Sequence, residues 1–240
     1  MSSYTTDSFF DGKIRVMQAR RGYRFSIDAV LLAYHAAPRP GEKILDLGTG
    51  CGIIALILAS RCADLKIYAV EFQAELAELA TANVRQNRLE EIISVLPTDM
   101  KLLTRQITSG PFDLIVSNPP FYSSGSGRIN PDSQRAIARH EIKADLADVL
   151  QTTRRMLRTS GRFVTIFSAE RTADLLSQMR NENLEPKMIR LIHSNRESDA
   201  KLILVEGIKN GRPGLKVVPP LYIYEETGNY TADVQPMFEL

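Results

Sequence analysis

The chain has 240 residues, of which 44% are hydrophobic and 24% are charged, a composition that is typical of globular proteins and excludes an intrinsically disordered chain. Thirty basic and 28 acidic residues leave a formal net charge of +2. This balance excludes a polybasic, histone-like protein, but it does not exclude a nucleic-acid binder, because only the local distribution of charge decides that.

The targeting and cysteine patterns favour a cytoplasmic protein. The segment Met1–Phe10 lacks the basic start and apolar core of a signal peptide, and the longest apolar runs are far shorter than the roughly 20 residues of a membrane span. Cys51 and Cys62 are too few for a disulfide framework, and no cysteine and histidine group has zinc-like spacing. We therefore expect a cytoplasmic enzyme without a metal, without membrane attachment and without an obligate protein partner.

The chain is predicted to form a single domain, with an N-terminal extension over 1–40 and an α/β core over 41–240. The extension holds an apolar and basic stretch, Lys13–Arg24, which we interpret as a hairpin-like segment. A predicted helix follows from Ser26, whose hydroxyl is suited to cap the helix N-terminus.

Between residues 43 and 168, short apolar runs alternate with amphipathic stretches, which predicts a parallel sheet with helices on both faces. The predicted strands are Lys43–Gly48, Lys66–Glu71, Ile93–Leu96, Phe112–Val116 and Gly161–Ser168. The predicted helices are Gly52–Ser60, Gln73–Asn87, Ala144–Leu157 and Ala169–Asn181. Two later strands, Lys187–Ile192 and Lys201–Ile208, have no helix between them and indicate an antiparallel hairpin at one edge of the sheet.

A glycine-rich turn, Asp46–Gly52, joins the first core strand to the helix after it. Glycines let the chain turn tightly and let a ligand approach the backbone. The dinucleotide fingerprint needs a third glycine where this chain has Ile53, and no Walker lysine is present. The turn therefore favours neither a pyrophosphate nor a nucleoside triphosphate, and by itself it could be a simple strand-to-helix connection.

Carboxylates stand at the ends of the next two predicted strands. Glu71 closes the second strand, where a carboxylate can accept hydrogen bonds from both ribose hydroxyls of an adenosyl group. Asp99 follows the third strand and could bind an adenine amino group. Because ligands of open α/β folds bind at the carboxyl edge of the sheet, both residues favour a ligand site over a simple turn.

The fourth core strand ends in Ser117-Asn-Pro-Pro-Phe-Tyr122, where two consecutive prolines stop the strand and fix the backbone. The Asn118 side-chain oxygen and the Pro119 carbonyl could both accept hydrogen bonds from one planar amino group. These acceptors favour the tetrahedral, positively charged nitrogen that forms as the amino group attacks an electrophile. Phe121 offers a face on which a planar base or amide could stack.

A long loop, 122–135, follows this motif and is rich in serine and glycine. Long loops inside compact domains are often binding loops or lids. Its position directly after the prolines therefore indicates contact with a substrate.

Together, Asp46–Gly52, Glu71, Asp99 and Asn118–Phe121 resemble class I S-adenosylmethionine-dependent methyltransferases that modify amino groups of planar substrates. Nearly the whole chain is similar to one bacterial family, the tRNA1(Val) (adenine-37-N6)-methyltransferases. The segments that carry this similarity are Arg24–Leu32, the Asn-Pro-Pro-Phe-Tyr run, Gln134–Arg139 and Leu221–Tyr230. The resemblance implies S-adenosyl-L-methionine as cofactor and a Rossmann-like, mostly parallel, seven-stranded sheet with a reversed last strand and helices on both faces.

The resemblance also implies which residues bind the cofactor. The glycines would lie against its methionine part, in a loop that Asp46 orders. Phe72 or Met100 would flank the adenine ring, while the two strand-end carboxylates bind the ribose and the adenine amino group. The implied set is Asp28, Asp46, Gly48, Gly50, Glu71, Phe72, Asp99, Met100 and Asn118.

The catalytic residues implied by the resemblance are Asn118, Pro119, Pro120 and Phe121. The first two would hold the acceptor nitrogen, and the phenylalanine would stack on the target base. The family pattern places Thr directly before Asp28, whereas this chain has Ile27 there, with Ser26 one residue earlier. The role of that hydroxyl, and with it the role of Asp28, stays open.

Basic residues gather in the segments 13–24, 128–140 and 209–216, and we expect the first two near the carboxyl edge of the sheet. Such residues can position RNA through its phosphates without reading the sequence, although each group could also be an ordinary solvated surface. His140 is the histidine nearest to the motif, and no general base is evident. The residues that we expect to bind substrate are Tyr122, Arg128, Arg135, Arg139, Arg21 and Arg24.

The sequence thus predicts an N-methyltransferase that acts on adenine N6 in tRNA, at anticodon-loop position 37. An unpaired adenine can be splayed out of such a loop for about a few kcal/mol. Other planar amino groups stay open as acceptors: guanine N2 of ribosomal RNA, DNA adenine, or a glutamine amide of a protein. A non-catalytic cofactor- or RNA-binding module is the further alternative, and the intact Asn118 disfavours it.

Overall fold

The structure is a computed structural model that describes residues 4–20, 26–119 and 145–239. Its strands are β1 (Tyr4–Phe9), β2 (Ile14–Ala19), β3 (Lys43–Leu47), β4 (Lys66–Glu71), β5 (Ile93–Pro97), β6 (Phe112–Ser117), β7 (Leu157–Ser168), β8 (Leu184–His193), β9 (Ala200–Lys209), β10 (Lys216–Val217) and β11 (Leu221–Tyr222). Its helices are α1 (Ile27–Ala36), α2 (Ile53–Arg61), α3 (Ala74–Gln86), α4 (Leu146–Met156) and α5 (Thr172–Asn181). Short 3-10 helices cover Met100–Leu102, Ala169–Arg171 and Gln235–Phe238.

Within these ranges a nine-stranded sheet runs in the order β10-β8-β9-β7-β6-β3-β4-β5, with β11 also paired to β8. Strand β9 is antiparallel to both of its neighbours, β7 and β8, and the other pairs are parallel. The predicted Rossmann-like sheet with a reversed last long strand is confirmed. The two-residue strands β10 and β11, which cover the outer side of β8, were not predicted.

The strand side chains alternate between two apolar layers, as a sheet buried on both faces requires. Ile44 and Leu114 pack with α1, α2 and α3 on one face, whereas Leu45 and Ile115 pack with α4 and α5 on the other. Helix α2 is buried from Ile53 to Ala59 because it lies against both the sheet and α1. No helix in the described part of the chain is long and apolar enough to cross a membrane.

The fifth core strand begins earlier than predicted, at Leu157 instead of Gly161. Pairing of β7 with β6 is irregular at this point, and Ser160 adopts a left-handed φ of 61°. A Cβ on Gly161 would lie 2.8 Å from the Leu157 side chain, so the glycine allows the chain to fold back closely there. Gly161 is the first residue of the predicted strand, whereas in the structure it lies at a bulge inside a longer strand.

The N-terminal hairpin of β1 and β2 is attached to α3 by two asparagine side chains one turn apart. The Asn83 amide accepts from the Met17 N–H at 2.7 Å and donates to the Met17 carbonyl at 3.0 Å. The Asn87 amide makes the same pair of bonds with Arg15, at 2.9 and 2.7 Å. Buried Asn83 also donates to the Cys51 carbonyl at 2.9 Å, so it links the hairpin to the glycine turn.

Replacing Asn83 by Ala removes these bonds and leaves the half-buried N–H and carbonyl of Met17, and the buried Cys51 carbonyl, without these partners. We expect a loss of about 1–3 kcal/mol in the free energy of unfolding. We also expect faster amide exchange over 14–19, measured by hydrogen–deuterium exchange with mass spectrometry. Gln86→Ala, at an exposed position of the same helix, is the control. Unchanged exchange over β2 in the Asn83 variant would show that the hairpin is held by other contacts.

Candidate active site

The glycine turn is tied to the neighbouring strand by its own backbone. The N–H groups of Gly48 and Thr49 both donate to the Val70 carbonyl of β4, at 3.0 and 2.9 Å. Gly48, Gly50 and Gly52 have φ values of 75°, 58° and 89°, in the left-handed region that favours glycine. A Cβ on Gly48 would meet no atom within 4 Å, so there is open space beside this backbone for a ligand.

Asp46 lies beneath the turn and is fully buried. The Thr49 hydroxyl donates to its Oδ2 at 2.6 Å, whereas its Oδ1 has no well-aligned hydrogen-bond partner among the residues that the structure describes. Burial raises the pKa of Asp46 to about 7; the Thr49 hydrogen bond opposes this shift and the charge of Glu71 adds to it. The carboxyl group therefore titrates near neutral pH.

Glu71, at the end of β4, is buried and connects the glycine turn to the start of α3. Its Oε2 accepts from the Gly50 N–H and its Oε1 from the Gln73 N–H, both at 2.9 Å. Burial raises the pKa of Glu71, and the backbone N–H donors partly oppose this. Since a carboxylate has about four lone-pair sites, these bonds leave part of its accepting capacity available for further donors such as ribose hydroxyls.

The two residues predicted to flank an adenine ring differ in exposure. Phe72 follows β4 and is 58% exposed, so a large part of its ring is free to cover a planar ligand. Met100 is 9% exposed and packs in the apolar layer with α4 and α5. Of the two, Phe72 has the accessible surface that stacking requires.

Asp99 caps the short 3-10 helix that follows β5. Its Oδ1 accepts from the Lys101 N–H at 2.9 Å, and its Oδ2 lies 3.7 Å from Lys101 Nζ. The same ammonium lies 3.6 Å from Asp148 Oδ2, in the first turn of α4. The Asp99 carboxylate is thus held in one direction while 26% of its side chain stays exposed.

The end of β6 is held from both sides. The Ser117 hydroxyl donates to the Leu47 carbonyl of β3 at 2.9 Å, and the Ser117 carbonyl accepts from the Thr165 hydroxyl of β7 at 2.8 Å. Half-buried Asn118 and buried Pro119 follow directly. Asn118 and Pro119, which we call the acceptor motif, therefore follow a fixed strand end beside the glycine turn.

The Ser26 hydroxyl does not cap α1 as predicted, because it accepts no hydrogen bond from a backbone N–H of the first turn; instead it donates to the Asp28 side chain. Asp28 is buried, and its Oδ1 also accepts from the Ala29 N–H at 3.0 Å. A hydroxyl two residues before Asp28 thus supplies a bond to its carboxylate despite Ile27. The prediction of a cap is wrong because the hydroxyl is turned toward the Asp28 carboxylate, with which it forms a charge-assisted hydrogen bond.

The basic segments lie in different parts of the fold. Arg15 is exposed and its backbone is bound to Asn87 at the end of α3, one turn after Asn83, so the expected position of this segment near the carboxyl edge stays a prediction. Lys209 ends β9 and donates to the Arg154 and Leu157 carbonyls. The predicted residues outside the described ranges are Pro120, Phe121, Tyr122, Arg21, Arg24, Arg128, Arg135, Arg139 and His140.

Sequence reasoning missed Ser117 and Thr165, which support the acceptor motif, and Asn83, which supports the glycine turn. The sequence does contain a signal that Thr165 is structurally important, since it is a hydroxyl-bearing residue inside an apolar strand, between Phe163 and Phe167. A polar side chain at such a position needs a hydrogen-bond partner. Its partner could not be read from the sequence because 48 positions separate it from Ser117.

This fold and turn define a class I methyltransferase, and comparisons with known proteins agree. The family model described as methyltransferase small domain matches residues 24–181. The chain therefore belongs to the methyltransferase small domain family, which confirms the class that its sequence predicted.

Two curated relatives that cover most of this chain carry the same name. The tRNA1(Val) (adenine(37)-N6)-methyltransferase of Porphyromonas gingivalis is 32% identical over 207 residues, covering 84% of this chain and 80% of that protein. The protein of the same name from Tolumonas auensis is 31% identical over 171 residues, covering 71% and 70%. A solved structure of a predicted O-methyltransferase from Agrobacterium tumefaciens matches with a TM-score of 0.69 at 24% identity, covering 88% of this chain and 94% of that one. At this identity the structural match shows the fold.

The buried Asp46 makes stability depend on pH. Between about pH 4 and 7 the native protein keeps a proton at Asp46 that the unfolded chain has released, so the free energy of unfolding falls as pH rises. Asp46→Asn removes this titration. We expect urea unfolding to show that the variant gains ~3 kcal/mol relative to wild type between pH 4.5 and pH 8. Asp174→Asn, at an exposed position of α5, controls for the loss of a surface charge. Parallel pH profiles of the Asp46 variant and wild type would contradict the burial effect.

Proposed function

We propose that this methyltransferase modifies the exocyclic N6 amino group of an adenine in tRNA, at anticodon-loop position 37. S-adenosyl-L-methionine is its cofactor and supplies an electrophilic methyl group on a sulfonium centre. The substrate assignment is carried by one observation: two relatives with that activity in their names share over 30% identity with this chain, across most of both sequences.

The described residues fit an adenosyl cofactor. The open space at Gly48 can accept its methionine part, and the unused lone pairs of Glu71 can accept from ribose hydroxyls. Phe72 offers an exposed ring for the adenine, and Asp99 presents a partly exposed carboxylate for the adenine amino group. These four groups follow β3, β4 and β5 along one edge of the sheet, which supports their assignment to one ligand.

The acceptor nitrogen would be held by Asn118, through its side-chain oxygen, and by Pro119, through its carbonyl. Pro119 carries no N–H, so it adds no donor that would compete for the same space. Two acceptors on the two amino hydrogens favour a nitrogen that becomes tetrahedral and positively charged as it reacts. The methylated nitrogen is acidic and can release its proton to water, which removes the need for a general base.

The extension and the core are proposed to work as one catalytic domain, 1–240. The bonds of Asn83 to both Met17 and Cys51 support this single domain, since they join the hairpin to the glycine turn. Bacterial tRNA is modified in the cytoplasm, so we also propose that the enzyme acts there.

Replacing Asn118 by Ala tests the proposed function. The variant loses one of the two acceptors, so we expect the single-turnover rate of methyl transfer to fall about a hundredfold or more. S-adenosyl-L-methionine binding, measured by calorimetry, should stay within threefold of wild type. Asn181→Ala, at the exposed end of α5, should match wild type in both measurements.

The acceptor is identified by incubating the protein with labelled cofactor and separate pools of unmodified tRNA, ribosomal RNA, DNA and release factor. We expect label in tRNA alone, at an adenine that nuclease digestion and mass spectrometry map to position 37. Label in another pool would refute the tRNA assignment, and a fully active Asn118 variant would refute the mechanism.

A further inference from the structure

Two buried hydroxyls hold the strand end from which the acceptor motif departs. Ser117 and Thr165 are both fully buried, and each hydroxyl donates to a backbone carbonyl on the adjacent strand, at 2.9 and 2.8 Å. Thr165, Ser117, Leu47 and Val70 are direct partners across β7, β6, β3 and β4. Val70 in turn accepts from the first two N–H groups of the glycine turn. One row of hydrogen-bonded residues therefore joins the acceptor motif to the glycine turn.

This row lies at the end of β6, where the backbone hydrogen bonds of the sheet end. Pro119 has no N–H and cannot continue the ladder beyond β6. The direction in which Asn118 and the Pro119 carbonyl point then depends on how the last residue of β6, Ser117, is held. Side-chain hydroxyls add hydrogen bonds on both sides of that residue, at the point where the ladder ends.

We propose that Thr165 and Ser117 are positioning residues for methyl transfer, which fix the position of the acceptor motif relative to the glycine turn; this inference rests on the proposed function. They act through Asn118 and Pro119 and touch neither substrate nor cofactor. The rate of transfer between two bound groups is sensitive to their separation, and a misplacement of about 1 Å can cost about a hundredfold. Loss of either hydroxyl should therefore slow the transfer more than it weakens binding.

The test compares hydroxyl-deleting and hydroxyl-keeping variants of the same position. Thr165→Val keeps the shape and removes the donor to Ser117, whereas Thr165→Ser keeps the donor. Ser117→Ala removes the donor to Leu47 and serves as a second deletion if the valine variant fails to fold. Thr153→Val is the matched control, because Thr153 is also buried and its hydroxyl has no hydrogen-bond partner among the described residues.

Single-turnover rates are measured with saturating cofactor and RNA, together with Kd values for both ligands and a thermal melt. For Thr165→Val and Ser117→Ala we expect the rate to fall ten- to a hundredfold, with Kd values within threefold of wild type. Thr165→Ser and Thr153→Val should keep rates within threefold of wild type. Deletion variants that melt earlier yet transfer methyl at the wild-type rate would overturn the positioning role and leave a structural one.

Failure of the proposed function gives a different result. If the wild-type protein labels ribosomal RNA, DNA or a protein instead of tRNA, the substrate assignment is wrong, and the variants are compared on the labelled acceptor, which still decides the positioning role. If the wild-type protein labels none of the four pools, both proposals are overturned.

Discussion

The Glu71 carboxylate is the contact on which the cofactor side of the site depends. It accepts from Gly50 in the turn after β3 and from Gln73 at the start of α3, so one buried side chain fixes two turns relative to each other. A charged carboxylate is unfavourable at this buried position, and burial raises its pKa. Its charge must therefore be stabilised by hydrogen-bond donors. Backbone N–H groups meet part of that requirement, and a ligand with hydroxyl donors is suited to the rest.

A second consequence follows from placing Asp46 under the same turn. Two buried acids are close enough that the charge of Glu71 contributes to the raised pKa of Asp46. Burial is the larger cause, and the Thr49 hydroxyl offsets only part of it. The turn is therefore built at some cost in stability, which is common where a fold keeps polar groups in place for a ligand.

Much of the architecture could be predicted because it depends on local pattern. Lys66–Glu71 was predicted with the observed bounds, since a short apolar run between polar turns is typical of a buried strand. The glycine turn and Glu71 were identified by their positions after strands. What could not be predicted depends on residues far apart in sequence: Asn83 bound to Met17, and Thr165 bound to Ser117. The two-residue strands carry too few residues for any periodicity to appear.

The two halves of the site differ in how they respond to protons. On the cofactor side, Asp46 and Glu71 are acids whose pKa values burial has raised toward neutrality. On the acceptor side, hydroxyls and backbone carbonyls hold the strand end, and the groups proposed to hold the amino nitrogen are an amide and a backbone carbonyl; none of these titrates between pH 4 and 10. In the proposed mechanism the hydrogen bonds to the nitrogen therefore do not change with pH in that range. A nitrogen placed in this way, which releases its proton to water after methyl transfer, would need no general base at this end of the sheet.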